Sequence, residues 1–316
     1  TWTRRTILKE RVVMAKKKRS YMRTREDKIF DTSNVIFMII LCIFMLYPFL
    51  NQLAVSFNEA SDAIRGGIYL WPREFTLHNY EHVFEKAAIW QAILISVLRT
   101  VVGAGVGLLC TAMVAYAIAQ PHFMFKRSVA IIFIMTMYFN GGLIPTFLLM
   151  RDLGLIGSFW VYILPALISA FNLIIMRSFI EGLPQSIFES AKIDGAGDFR
   201  IFFKIVLPLS LPVLATVALF VAVFQWNQWF DVFLYNSSIK ELTTLQYELM
   251  KILQNSSTSS GDAASAFVSS AGGSRESVTP KAIQATMTIV ASVPIIMVYP
   301  FLQKYFVKGM TLGAVK

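Results

Sequence analysis

Glu189-Ser190-Ala191-Lys192-Ile193-Asp194-Gly195-Ala196-Gly197-Asp198-Phe199, continuing to Ile205-Val206-Leu207-Pro208 and Pro212, is the stretch on which the reading of this chain turns. Its spacing predicts a short helix stopped at Gly195, a residue able to take the left-handed C-cap geometry. A second helix is expected to start from Asp198 as N-cap. Ala191, Ile193 and Ala196 offer small or apolar knobs, and Glu189, Lys192 and Asp194 set charges around them. Such a surface suits docking in another protein's groove.

Outward from this stretch the chain is apolar. Of 316 residues 56% are hydrophobic and only 15% charged, against a soluble norm of about 25%, and mean hydropathy is +0.59. Crossing a hydrocarbon core takes about 20 apolar helical residues. Six runs meet that need: Val35 to Val55, Ile89 to Ala119, Ser128 to Met150, Gly157 to Phe179, Leu209 to Phe230 and Ala285 to Val307. The first follows Lys16-Lys17-Lys18-Arg19, yet its apolar core is longer than the roughly 7–15 residues of a signal peptide and no small-x-small cleavage site closes it. It reads as an uncleaved helix.

Orientation follows from the basic residues, because Lys and Arg resist translocation. With the amino terminus inside, cytoplasmic segments hold 20 Lys and Arg and outer segments 8, with Arg99 left within the second run. The fold class expected is therefore all-α integral membrane, with six transmembrane helices and both termini cytoplasmic. Residues 1–30 form a basic cytoplasmic tail with 11 basic and 3 acidic side chains. A tail abutting an apolar run is a membrane-flanking arm and not a nucleic-acid face. Residues 31–316 form a single transmembrane domain. Its cytoplasmic loop is 180–208, and its long outer loops are 56–88 and 231–284. The first outer loop carries an amphipathic run, Leu77 to Phe84, that either lies on the bilayer or folds back on the bundle. The second begins with helix-like Leu242 to Leu253 and turns Ser/Gly/Ala-rich from Asn255 to Ser274, the composition of a linker. Cys42 and Cys110 lie inside apolar runs and make no disulfide framework or metal site.

The loop at 189–208 resembles the EAA loop of permease subunits of binding-protein-dependent ABC importers: Glu-Ala-Ala, three residues, Gly, nine or so residues, then Ile-x-Leu-Pro. Ser190 replaces the first alanine, while Ala191, Gly195, Ile205, Leu207 and Pro208 fall in register. The likeness extends through Asn140-Gly141-Gly142-Leu143-Ile144-Pro145, Arg177-Ser178-Phe179 and Gly309 to Lys316. Within that family the chain is similar to the smaller subunit of the maltose-type, carbohydrate branch, and to members handling oligosaccharides or polysaccharide fragments. The resemblance implies a type I ABC importer permease fold in a bacterial plasma (inner) membrane. It implies a heterodimer with a second permease subunit, two ATPase subunits that bind ATP and Mg, an extracytoplasmic solute-binding protein and an oligosaccharide substrate. It also assigns ATPase coupling to Glu189, Ser190, Ala191, Ile193, Asp194, Gly195, Ala196 and Phe199. The chain has no G-x-x-x-x-G-K-[ST] phosphate loop, so it is expected to bind no cofactor, to be no enzyme by itself and to draw energy from a partner.

Other groups carry weaker signals. His78-Asn79-Tyr80-Glu81-His82 matches the inverted zinc-peptidase pattern, but the only other histidine, His122, is expected across the membrane. No metal is expected. Arg99 would cost about 2.5–3.5 kcal/mol at the centre of an isolated helix, so it needs a backbone carbonyl, an acid on another subunit, a sugar contact or an outward snorkel. Trp226, Asn227 and Trp229 join ring faces to amides, which suits either a sugar pathway or an interfacial aromatic belt. With Asn140 and Arg99 they make up the candidate pathway residues. Gly103 and Gly107 have the spacing of close helix packing. A secondary transporter or channel, the rival class, would place carboxylates in mid-membrane, and no expected span has an internal Asp or Glu.

Overall fold

The computed structural model describes residues 24–258 and 279–314. Most of the basic tail and of the Ser/Gly/Ala-rich segment, together with the last two residues, lie outside the described residues. The described chain is helical, and its one β-type pairing is an isolated bridge between Asn58 and Phe75.

Helix α1, Arg25–Ser56, starts ten residues before the first apolar run. The cause is a reciprocal cap: Thr24 N–H donates to Asp27 at 3.0 Å and Asp27 N–H donates to Thr24 Oγ1 at 3.2 Å. Contacts divide the chain into two units after Asn51. In the first, every large apolar side chain from Val35 to Leu50 is exposed, so α1 is apolar all round without a protein core.

In the second unit, α2 (Ala60–Arg65) and α3 (His78–Phe84) precede α4 (Ala87–Ala119), the axis of the bundle. Ala92, Ser96, Arg99, Gly103, Gly107 and Thr111 recur every third or fourth residue and form its buried stripe. A Cβ at Gly103 would stand 2.9 Å from the Gln225 side chain, and one at Gly107 would stand 3.1 Å from the Leu167 carbonyl. The two glycines thus admit neighbours that any side chain would push away.

The third expected run is not one helix. It divides into α5 (Lys126–Tyr138) and α6 (Leu143–Asp152), because Gly142 takes φ 88° and its N–H is drawn to Asn140 Oδ1 at 2.9 Å. The fourth also breaks: 3₁₀ turns at Phe159–Tyr162 and Leu164–Ala166 meet α7 (Ala170–Glu181) at 52°. Then come α8 (Gln185–Ile193), α9 (Asp198–Leu209), α10 (Leu211–Asn227), α11 (Phe230–Asn236), α12 (Leu245–Thr258) and α13 (Pro280–Ala314). Helices α9 and α10 meet at 83°. Three helices, Arg25–Ser56, Ala87–Ala119 and Pro280–Pro300, are long and apolar enough to cross a membrane, and the two bent pairs bring the number to five.

The buried core follows α4. Toward its end Ala115 and Tyr116 pack with Met176, Phe188, Ile201, Val206 and Val217. Near its start Ile95 packs with Tyr162, Val232 and Tyr247, and Ile89 with Val83, Trp226, Leu245 and Met287. Helix α3 therefore folds back on the bundle, buried through Asn79 and Val83.

Candidate functional site

The loop between α7 and α10 is held by its inner side chains and presents its outer ones. Leu183-Pro184 ends one helix and starts the next, since Pro184 needs no N–H partner. Phe188 is the buried residue of α8, seated in the core beside Ile180 and Phe202. At the other end Gly195 N–H donates to the Lys192 carbonyl at 3.0 Å and Ala196 N–H to the Ala191 carbonyl at 2.9 Å. With Gly195 at φ 76°, these bonds form a Schellman motif, as its sequence position predicts. Ala191 and Ala196, the residues so joined, are half-buried against the core.

The start of α9 departs from expectation. Gly197 occupies the cap position with extended backbone, and Asp198 stands inside the first turn with no cap bond. Its carboxylate instead faces Lys192 Nζ at 3.7 Å, joining the two short helices, and as an acid in a first turn it also favours the helix start. Ser190, at the departure from Glu-Ala-Ala, donates its hydroxyl to the Ser186 carbonyl at 2.8 Å, so the extra polar atom is satisfied within the helix.

What remains outward is an exposed face. Ile193 is 85% exposed and Phe199 73%, the most exposed large apolar side chains of the loop. Glu189 and Asp194 are exposed beside them and make no ion pair among the described residues. After Phe199 the helix widens to a π-turn over Phe202–Val206, where Leu207 N–H donates to the Phe202 carbonyl, five residues back. This wider turn leads into Pro208, which has no N–H to give.

At the far end of α4, about 26 Å away by the helical rise from Tyr116 to Arg99, lies a buried polar cluster. Arg99 is 1% exposed. Its Nε donates to Gln225 Oε1 at 2.8 Å, and one terminal nitrogen donates to the Gln228 carbonyl at 3.3 Å and to Asp231 at 3.1 Å. The other terminal nitrogen closes a bidentate pair with Asp231, and the guanidinium lies 4.7 Å from the Tyr162 ring centroid. The acid that Arg99 needs is therefore in its own chain, not on another subunit. Trp226 is also buried, and its indole N–H donates to the Ala291 carbonyl at 3.0 Å, tying α10 to α13. Asn227 is exposed, donating to Val223 and accepting from Gln246. Trp229 is half-buried among Phe230 and Phe233, and Asn140 lies exposed at the break before α6. Each of the five has partners of its own, and none of these contacts joins one of them to another. Asp231 and Tyr162 escape a reading of the sequence alone; Gln225 belongs to the same aromatic and amide cluster as Trp226, but the sequence does not show that it faces Arg99.

His78 Nδ1 lies 3.8 Å from Glu81, while Asn79 between them is turned inward to the Ser56 and Asn58 carbonyls. Among the described residues no group of three or more His, Cys, Asp or Glu is placed to hold a metal.

A bundle of apolar helices, three of them long and apolar enough to cross a membrane, carrying a capped loop with exposed apolar side chains, defines the class of an integral membrane protein. The chain belongs to the family of binding-protein-dependent transport system inner membrane components, whose model matches residues 109–312. It is 38% identical over 292 residues to the polygalacturonan/rhamnogalacturonan transport system permease protein YtcP of Bacillus subtilis, covering 92% of this chain and 99% of that one. It is 31% identical to the arabinooligosaccharides transport system permease protein AraQ of Halalkalibacterium halodurans, covering 86% and 91%. Among solved structures it is similar, with a TM-score of 0.80 and 30% identity, to a chain of a bacterial ABC transporter that imports the acidic polysaccharide alginate. That match covers 90% of this chain and 98% of the other.

Proposed function

We propose that this chain is one of two permease subunits of an ATP-driven importer for oligosaccharides or polysaccharide fragments, spanning the membrane six times with both termini in the cytoplasm. The sixth crossing is the pair α5 and α6, read as one span interrupted at Asn140 to Gly142. Two ATPase subunits, which carry the ATP and Mg, dock on Glu189, Ser190, Ala191, Ile193, Asp194, Gly195, Ala196 and Phe199. An extracytoplasmic solute-binding protein delivers the sugar to the opposite end. The observation that carries this reading is the Gly195 Schellman motif, which holds Ile193 and Phe199 outward on a loop anchored by Phe188. A loop so fixed passes a rigid-body movement of a docked protein to α7 and α10 without absorbing it.

Asn140, Asn227 and Trp229 keep surface that a second permease or a sugar can meet, whereas Arg99 and Trp226 act by holding the helices that carry them. The relatives that handle galacturonan and alginate make acidic fragments the first substrates to try.

The test is reconstitution of the chain with its partner permease, ATPase and binding protein in liposomes. Saccharide-loaded binding protein should stimulate ATP hydrolysis several-fold. In a variant lacking Cys42 and Cys110, cysteines placed at Ser190 and Ser238 should label from opposite sides. Labelling of both from one side, or hydrolysis indifferent to every saccharide offered, refutes the proposal.

A further inference from the structure

Where the end of α4 meets α5 and α7, the three helices enclose a small cleft. Ile118 of α4, Ala130, Phe133 and Ile134 of α5, and Leu173 and Ile174 of α7 line a cavity of about 150 Å³. All six are apolar. Ile134 is 40% exposed and Ile174 39%, so the cleft opens to the outside of the chain. It nevertheless ends on a charge, because Arg177, one turn after Leu173, belongs to the same lining.

That charge is only partly spent inside the protein. Arg177 Nε donates to Glu181 at 2.8 Å, while its two terminal nitrogens have no partner among the described residues. A second cation stands on the α5 wall. Arg127 precedes Ala130 by three residues and Ile134 by seven, the spacing of one helical face. It is exposed and has no ion pair or hydrogen bond among the described residues. Lys126 beside it donates only to the Pro121 carbonyl, at 3.4 Å. From Ala87 to Tyr138 the sequence holds no Asp or Glu, and Glu181 is the only acid of α7, so the three cations keep an excess of positive charge. Lys126 and Arg127 directly precede the apolar run that starts at Ser128, and Arg177 stands two residues before the end of the run that closes at Phe179. With six spans both of these run ends are inner, and the cations share the depth at which lipid phosphates meet hydrocarbon.

We propose that this cleft binds an anionic phospholipid of the inner leaflet, with an acyl chain lying along Phe133, Ile134 and Ile174 and the phosphate meeting Arg177 and Arg127. A cleft that is apolar in its depth and cationic at the membrane boundary matches such a lipid in both parts, and basic pockets between spans on the cytoplasmic side are where acidic head groups bind. A soluble anion would leave the apolar wall uncovered, and a neutral lipid would leave the guanidinium unmatched. The inference rests on the six-span reading above for its depth in the bilayer, and on nothing in the sugar assignment. A lipid held there braces the last turn of α7, from which the 180–208 loop departs.

The test reconstitutes the complex of both permeases and the ATPase in nanodiscs that carry a trace of phosphatidylglycerol or phosphatidylcholine with a photoreactive group on the acyl chain. Labelled peptides are then identified by mass spectrometry. Phosphatidylglycerol should label the peptides containing Phe133 and Ile174 several-fold more than phosphatidylcholine does. Arg127→Gln and Arg177→Gln should each lower that labelling about fivefold, the factor for one cation near a lipid surface. Ala130→Leu, which fills the cleft and leaves the charges in place, should lower it as well. Melting temperatures of the three variants in detergent should match the wild type, since none removes a buried partner. Equal labelling by the two lipids, or labelling indifferent to all three variants, overturns the site. Competition by inorganic phosphate, at an ionic strength matched with chloride, shows a site for a soluble anion instead. No labelling by either lipid means that the second permease covers the cleft, and overturns the proposal too. Cysteine labelling at Ser190 and Ser238 tests the span reading by itself: if it holds and the lipid result fails, the lipid site alone falls, and if it fails, the depth assigned to the cleft falls with it.

Discussion

Replacing Asp231 with Asn leaves the Arg99 guanidinium inside the bundle without a counter-charge. The size of the effect follows from burial. Arg99 is 1% exposed and the Asp231 side chain 20%, so the cation has no route to water and the carboxylate only a partial one. An exposed ion pair contributes about 0–1 kcal/mol, but breaking a buried one by removing a single partner costs about 3–5 kcal/mol. Asn keeps an oxygen that can accept one N–H, and Gln225 and the Gln228 carbonyl still hold two others, so the expected loss is near the lower figure. A loss of about 3 kcal/mol lowers the folding equilibrium more than a hundredfold. Titration of the purified complex with SDS in mixed micelles, followed by tryptophan fluorescence, would measure it. The double variant Arg99→Met, Asp231→Leu removes both charges and should recover most of the loss. A loss below about 1 kcal/mol for Asp231→Asn, the figure for an exposed pair, would refute the reasoning, as would a double variant no better than the single one.

Three further outcomes follow from the loop and the bundle. Gly195 has φ 76°, and a Cβ attached there would meet no atom within 4 Å, so backbone strain alone decides its replacements: Gly195→Asn should keep substrate-stimulated ATP hydrolysis, and Gly195→Val should lose most of it while inserting normally. Glu189 has no ion pair among the described residues, so Glu189→Lys should weaken co-purification of the ATPase with little change in the melting temperature of the permease pair. Gly103→Leu would strike Gln225 and displace it from Arg99, at a cost of about 1–3 kcal/mol for overpacking, whereas Gly105→Leu, with open space around it, should unfold like the wild type in the same SDS titration.

The loop is legible in the sequence because each of its signals is local. Gly195 follows an amphipathic turn, and the left-handed cap it forms involves residues three to five apart. The expected cap at Asp198 lies one position too late because Gly197 reaches the extended cap conformation without a side-chain bond, leaving the aspartate free to pair with Lys192. Hydropathy finds the membrane character but not the breaks. A window over Ser128 to Met150 averages away Asn140-Gly141-Gly142, which separate α5 from α6, and one over Gly157 to Phe179 averages away Pro165, at the start of a 3₁₀ turn, and Ser169, from which α7 starts. The partner of Arg99 is out of reach for another reason. Asp231 stands 132 residues away, one position past an apolar run, and nothing in either segment specifies that α4 and the α10–α11 turn pack together. The aromatic and amide residues at the end of α10 stand out as a group, but a cluster in sequence does not say which members face inward. Trp226 does, and Asn227 does not.

The 83° corner between α9 and α10 changes the direction of a push. A displacement of the 180–208 loop along the axis of α9 would have almost no component along α10, so it would turn α10 about its base at Ser210 and not slide it along its length. Rotation magnifies with distance from the pivot. If the loop couples to a partner as proposed, a small stroke there, carried through Pro208 and Pro212, would become its largest sideways excursion at the opposite tip of α10, where Gln225 and Trp226 grip α4 and α13. The residues that bind those helices together at that tip are the ones against which such a lever would have to work.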